Sequence, residues 1–212
     1  KKKERMANEE SEAESEEEKG EEGEKEEVLP PACFYVIVHG EVESAEFEYD
    51  DLYVRYGFSM GDDWSVVDGV ETGLSQLARK AAGPDKRVIW NFPIDVSFKS
   101  TTPFGWPRIS LSVYGLDGLG RDVVRGYGSI LIPPYPGQYT RSVQVYVPSP
   151  ESPFQRFLSW LNGSYAEFFD SKFVARGKDR DTVRVEPTGR VTVKFDILTR
   201  NLQALGFAPR AV

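Results

Sequence analysis

From Arg87 to Pro133 the chain alternates apolar and polar residues with a period of two, and this stretch limits the possible folds more than any other. Val88, Trp90, Phe92, Ile94, Val96 and Phe98 share one parity, while Asn91, Asp95, Ser97 and Lys99 share the other. Successive side chains of a strand point to opposite faces, so the pattern predicts a strand with one buried face. Pro93 lacks an N–H and falls on the polar parity, which predicts a sheet edge or a bulge there. A loop carrying Pro103, Gly105 and Pro107 follows. Ile109, Leu111 and Val113 then alternate with Ser110, Ser112 and Tyr114. A Gly- and Asp-rich loop, Gly115 to Asp122, leads to a third strand over Val123–Ile132. Gly126 and Gly128 in that strand leave room for a neighbouring backbone or a large ring.

The flanks extend the same theme. Cys33–Val38 reads as a strand buried on both faces, followed by an acidic loop over residues 41–51. Leu52, Val54, Tyr56 and Phe58 define a second strand, and Gly61-Asp62-Asp63-Trp64 a turn. Val70 to Ala82 is ambiguous. Val70, Leu74 and Leu77 have helical spacing, but Gly69 and Gly73 oppose a helix. The residues alone leave helix and strand open. Tyr139 to Val147 alternates as a further strand. Ser152-Pro153 is a helix start, and Phe154, Phe157, Leu158 and Leu161 form an apolar stripe closed by Gly163. A hairpin around Pro187-Thr188-Gly189 closes the chain, with Val191, Val193, Phe195 and Ile197 facing inward. The predicted fold class is all-β: an antiparallel β-sandwich of eight or nine strands with one short helix.

Charge separates this folded part from what precedes it. Residues 1–27 hold 13 Glu against 6 Lys or Arg, which leaves 21 acidic and 20 basic residues of the chain's 34 and 26 for the remainder. The first segment has no aromatic or β-branched residue to offset chain entropy, so a disordered acidic tail over residues 1–27 and a single domain over 28–212 are expected. A near-neutral domain gives no electrostatic case for nucleic acid. No run of about 18 apolar residues predicts a membrane-spanning helix, and no charged start followed by an apolar segment predicts a secretory signal. The lone Cys33 excludes an internal disulfide and fits a reducing compartment.

Catalytic groups are scarce. The one histidine, His39, and the one cysteine, Cys33, lie six residues apart on one predicted strand. That is roughly 20 Å at full extension, too far for a thiolate–imidazole pair. No pair of cysteines or histidines supports zinc, and the glycines between Gly115 and Gly120 lack the Gly-Lys-Ser/Thr of a phosphate loop. The chain is therefore expected not to be an enzyme and to need no cofactor. The strongest contact candidates are Phe104 and Trp106, large rings in a Pro-bounded loop: exposed, they suit anchoring a protein partner or a bilayer interface, and buried, as is expected of at least one, they plug the sandwich end. The basic residues Lys99, Arg108, Arg121, Arg125, Arg141, Lys194 and Arg200 could face a membrane surface. Lys99 and Arg108 flank the Phe104 loop.

Three long segments carry a resemblance. W-N-F-P-I-D-V-S-F-K-S-T (Trp90–Thr101), F-G-W-P-R-I-S-L-S-V-Y-G (Phe104–Gly115) and D-V-V-R-G-Y-G (Asp122–Gly128) closely resemble the B9-domain family, and the similarity runs from about Phe34 to about Gly206. The family is regarded as a divergent relative of C2 sandwiches. For Val70 to Ala82 the resemblance implies a strand forming a hairpin with the Arg87 strand through Gly83-Pro84-Asp85. The resemblance implies a scaffold of the Meckel-syndrome protein module at the cytoplasmic side of the ciliary base, at the transition zone and basal body. It implies partners that are themselves B9-domain proteins: the second B9 domain-containing protein, and through it the Meckel syndrome type 1 protein. It implies support for the ciliary diffusion barrier, cilium assembly and Hedgehog-type signalling. A peripheral lipid-binding C2-like domain acting alone is the alternative. Many C2 sandwiches bind calcium through loop aspartates, which makes Asp117 and Asp122 weak calcium candidates, although Asp and Gly are also ordinary turn residues.

Overall fold

A computed structural model describes residues 32–148 and 185–207. Nine strands follow in order: β1 (Phe34–Phe47), β2 (Leu52–Ser59), β3 (Trp64–Gly69), β4 (Thr72–Leu74), β5 (Val88–Ser100), β6 (Arg108–Leu116), β7 (Asp122–Leu131), β8 (Gly137–Pro148) and β9 (Val185–Arg200). They form one antiparallel sheet in the order β3-β5-β1-β9-β8-β7-β6-β2-β4. This corrects the expected sandwich of separate sheets: one continuous sheet curls into a half-barrel, and no helix occurs among the described residues. The acidic segment 1–27 and the stretch expected to be helical, Ser152–Gly163, lie outside the described residues.

The sheet still behaves as two layers. β7 and β8 share a single ladder pair, Tyr127 with Tyr146, so the β3-β5-β1-β9-β8 half folds over the β7-β6-β2-β4 half about that joint. Gly126 and Gly128 permit the fold. A Cβ on Gly126 would stand 2.8 Å from Val145 Cγ2, and one on Gly128 2.9 Å from Val145 Cγ1. The close approach expected at these glycines is thus to an aliphatic side chain. Thr188 clasps the same joint by donating its hydroxyl to the Arg125 carbonyl at 2.6 Å.

The core fills the space between the halves. Phe34, Val36, Val38, Trp90, Phe98 and Phe195 meet Leu52, Val54, Phe58, Ile109 and Leu111 in one buried cluster. Each fully buried large side chain contributes about 1.5–3 kcal/mol. Phe98 and Phe58 pair edge to face across the layers at 5.2 Å, and Trp90 donates its indole N–H to the Leu52 carbonyl at 3.0 Å.

Three local expectations are corrected, and one strand is added. Residues 41–47 are not a loop but the second half of β1, with Val42, Ala45 and Phe47 buried. A register shift between Val42 and Ser44 moves the inward face from even to odd positions and hides the alternation. Opposite it, Asn91 takes φ 45°. β4 pairs with β2 rather than β5, and the hairpin expected through Gly83-Pro84-Asp85 shrinks to a single bridge between Lys80 and Val88. Beyond the predicted turn at Gly61–Trp64, residues 64–69 form β3. Pro187-Thr188-Gly189 is not a turn, because β9 runs unbroken from Val185 to Arg200 with an irregularity opposite Val145 and Tyr146. β5 is an interior strand, yet its β3 neighbour stops opposite Val96. Pro93 therefore sits where β5 has no strand on that side.

Candidate interaction surface

The register places the Phe104 loop at one end of the half-barrel. Phe34 of β1 pairs with Ser100 of β5, which pairs with Trp64 of β3; Ser59 of β2 pairs with Arg108 of β6, which pairs with Leu131 of β7. The connections 60–63, 101–107 and 132–136 and the segment after Arg200 therefore share this end. Lys99, Phe104, Trp106 and Arg108 all lie here.

The two rings of the loop take opposite fates. Trp106 is partly buried. It meets the edge of Trp64 at 5.0 Å and stacks on Phe34 at 6.3 Å, and its indole N–H donates to the Ile132 carbonyl at 2.9 Å. Phe104 is 83% exposed. Its backbone is nevertheless held, because the Trp64 indole N–H donates to the Phe104 carbonyl at 2.7 Å. Gly105 follows with φ 71° and lies against Gly61, where a Cβ would come within 2.6 Å of the Gly61 Cα. The Gly61 N–H returns to the Gly105 carbonyl at 2.9 Å. An exposed apolar ring is thus mounted on a loop fixed at its root, which lowers the ordering cost of a contact.

Cations surround the ring unevenly. Lys99 and Arg200 both pair with Tyr35, one from each side of β1. Arg108 opens β6 and reaches the Ser129 hydroxyl at 3.5 Å. Asp62 and Asp63 oppose these three at the same end. Sequence reasoning missed Tyr135 and Phe207, both partly exposed at this end; Phe207 packs edge-on against Phe34 at 5.9 Å. The Pro-Pro-Tyr-Pro run at 133–136 was the available signal for Tyr135.

The other basic candidates are spent elsewhere, Arg141 over the Tyr139 ring at 5.5 Å. Lys194 sits between Glu43 at 2.8 Å and Glu41 at 3.0 Å, and these hydrogen bonds, Glu43 first, hold its ammonium pKa above the usual lysine range. Arg125 lies over the Tyr49 ring at 4.0 Å. Arg121 binds Asp117 at the opposite end of the half-barrel. Asp117 accepts from the backbone N–H groups of Leu119 at 2.8 Å and Arg121 at 2.9 Å, and from the Arg121 guanidinium at 2.8 Å. The Arg121 backbone N–H is the largest influence holding this carboxyl below its usual range; burial opposes it, and the guanidinium and the Leu119 N–H reinforce it. Both oxygens therefore serve their own loop. Asp122 is exposed at the start of β7.

Chemistry beyond contacts finds little support. Among the described residues no three His, Cys, Asp or Glu side chains converge as a metal site would require. His39 Nδ1 lies 3.0 Å from Asp95 Oδ1, both side chains open to solvent. A shallow cleft of about 360 Å³ over β1, β8 and β9 is lined by Glu41, Gln138, Lys194 and Asp196, with Glu41 already committed to Lys194.

Comparison with known proteins identifies the module. The family model described as "Ciliary basal body-associated, B9 protein" matches residues 36–198. The chain belongs to the B9-domain family. It is 48% identical over 178 residues to B9 domain-containing protein 1 of Xenopus laevis, covering 84% of this chain and 90% of that protein. To B9 domain-containing protein 2 of Homo sapiens it is 26% identical over 172 residues, covering 81% and 97%. A solved C2 domain of plant extended synaptotagmin 1 superposes with a TM-score of 0.37 at 14% identity, covering 77% of this chain and 93% of that one. As a B9-domain protein the chain is a scaffold of the ciliary basal body and transition zone, and it associates with other B9-domain and transition-zone proteins.

Proposed function

We propose that this chain is a scaffold of the Meckel-syndrome protein complex, bound directly to the second B9 domain-containing protein, which links it to the Meckel syndrome type 1 protein. The domain spans 28–212, and the acidic segment 1–27 is an extension to it. The assembly supports the membrane diffusion barrier of the cilium, and through it cilium assembly and Hedgehog-type signalling. The observation that carries a contact role is Phe104: a large exposed ring on a loop held at its root by Trp64 and Gly61. Lys99 and Arg108 flank it as polar contacts, and Trp106 supports the loop from beneath. The test is gel filtration with light scattering of this chain mixed with the other two B9 proteins. A ternary complex that weakens with Phe104→Ser supports the reading, and three separate monomers overturn it.

The exposed ring also favours a second reading, a peripheral lipid-binding C2-like domain acting alone. Phe104 would enter the interface while Lys99, Arg108 and Arg200 face anionic headgroups. Each cation near such a surface adds about 1 kcal/mol, and Asp62 and Asp63 offset much of that. Co-sedimentation with phosphatidylserine vesicles separates the readings. Binding that needs anionic lipid and no protein partner supports the second.

A further inference from the structure

The two edges of the nine-stranded sheet are consecutive in sequence. β3 ends at Gly69 and β4 begins at Thr72, so the chain from Trp64 to Lys80 is a strap along the seam where the curled sheet would otherwise gape. It is fastened to both layers. On one side β3 pairs with β5, the Val70 N–H donates to the Asp95 carbonyl at 3.1 Å, and the Gln76 side chain donates to the Trp90 carbonyl at 2.9 Å. On the other side β4 pairs with β2, the Ser75 N–H donates to the Val54 carbonyl at 2.9 Å, and Ala78 and Leu52 exchange backbone hydrogen bonds.

Inward, the strap buries Trp64 and Ser75. Outward it carries Val67, Val70, Leu74 and Leu77, each between 49% and 59% exposed. These include the residues whose spacing imitated a helix. Scattered exposed apolar residues are ordinary, but four along one rigid strap make a row of the kind that marks a contact surface. Its unpaired charge is one-sided. From Trp64 to Ala78 the strap has Asp68 and Glu71 and no Lys or Arg, while Arg79 pairs with Asp51 and Lys80 donates to the Glu48 carbonyl. Among the described residues neither carboxylate joins an ion pair.

We propose that this strap is a docking surface for a B9-domain partner, which it meets through a face of that partner that is both apolar and basic. The proposal rests on the scaffold reading above and names a contact surface for it. Charge complementarity selects the occupant: two carboxylates with no ion pair, Asp68 and Glu71, repel an anionic bilayer and attract a cationic protein face. Side chains carry the contact rather than strand addition. The register shift between Val66 and Asp68 breaks the β3 edge, and β4 has only three residues; short and bulged edges resist pairing.

The test is calorimetric titration of the full chain with the second B9 domain-containing protein, using two surface variants. Asp68→Lys with Glu71→Lys should weaken binding by about tenfold or more at about 50 mM salt, and the loss should shrink at about 500 mM as screening sets in. Leu74→Ser with Leu77→Ser should weaken it by about tenfold at both salt concentrations. Unchanged melting temperatures show that either loss is at the surface. Wild-type affinity in both variants overturns the strap as the docking surface and leaves the scaffold reading standing. No binding by the wild-type chain overturns both.

Discussion

The indole N–H of Trp64 donates to the carbonyl of Phe104 at 2.7 Å, so a core residue of β3 sets the position of a ring that is itself in solvent. The two residues should therefore respond oppositely to substitution. Trp64→Phe removes the donor and leaves the carbonyl unpaired, at a cost of about 1–3 kcal/mol in denaturant unfolding. Phe104→Ala, at an exposed position, should stay within about 0.5 kcal/mol of the parent.

Gly105 has no tolerant replacement. Alanine there must accept φ 71° and place its Cβ 2.6 Å from the Gly61 Cα. Strain and crowding together should cost about 3 kcal/mol by chemical denaturation. The same change at Gly118, where a Cβ would meet nothing within 4 Å and φ is not positive, should be nearly neutral.

The layer joint predicts a coupled pair. Gly128→Ala puts a methyl 2.9 Å from Val145 Cγ1, while Val145→Ala vacates that space at the cost of buried area. Each single change should destabilise, and the double change by less than their sum. A double-mutant cycle should give a coupling of about 0.5–1.5 kcal/mol in the rescuing direction.

Asp117 predicts a pH dependence. Its folded-state pKa lies below the ordinary carboxylate value, chiefly through the Arg121 backbone N–H. A depressed pKa contributes stability that is present above the unfolded value near ~3.9 and is lost as pH falls through the folded value. Asp117→Asn should therefore be less stable than the parent at neutral pH, and thermal melts should converge below about pH 4. Equal melting temperatures at neutral pH would contradict this assignment.

The half-buried strands were legible because one face of each is dry. β5 shows Val88, Trp90, Ile94, Val96 and Phe98 buried and Asp95 and Lys99 exposed, as a period of two requires. What stayed hidden was hidden for local reasons. The bulge in β1 reverses parity within one strand, and a pattern rule that assumes fixed parity reads the second half as loop. The strap at Trp64–Lys80 is set by hydrogen bonds to β2 and β5, contacts between segments far apart in sequence, so its own residues mimic a helix or a hairpin.

The candidate surface divides the same way. Two aromatic rings between prolines announced the loop, and three long matching segments announced the B9-domain family. Composition by itself determined the near-neutral charge of everything after residue 27 and the scarcity of catalytic groups. Only the tertiary structure decided that Trp106 turns in to reach the Ile132 carbonyl while Phe104 turns out. It also decided that Lys99, Arg108 and Arg200 share one end while Arg121 and Lys194 are neutralised elsewhere. Alternation is encoded in neighbouring residues and survives in the sequence. Which strand end meets which loop depends on register and on how the sheet curls, and both are fixed by packing between residues that the sequence keeps far apart.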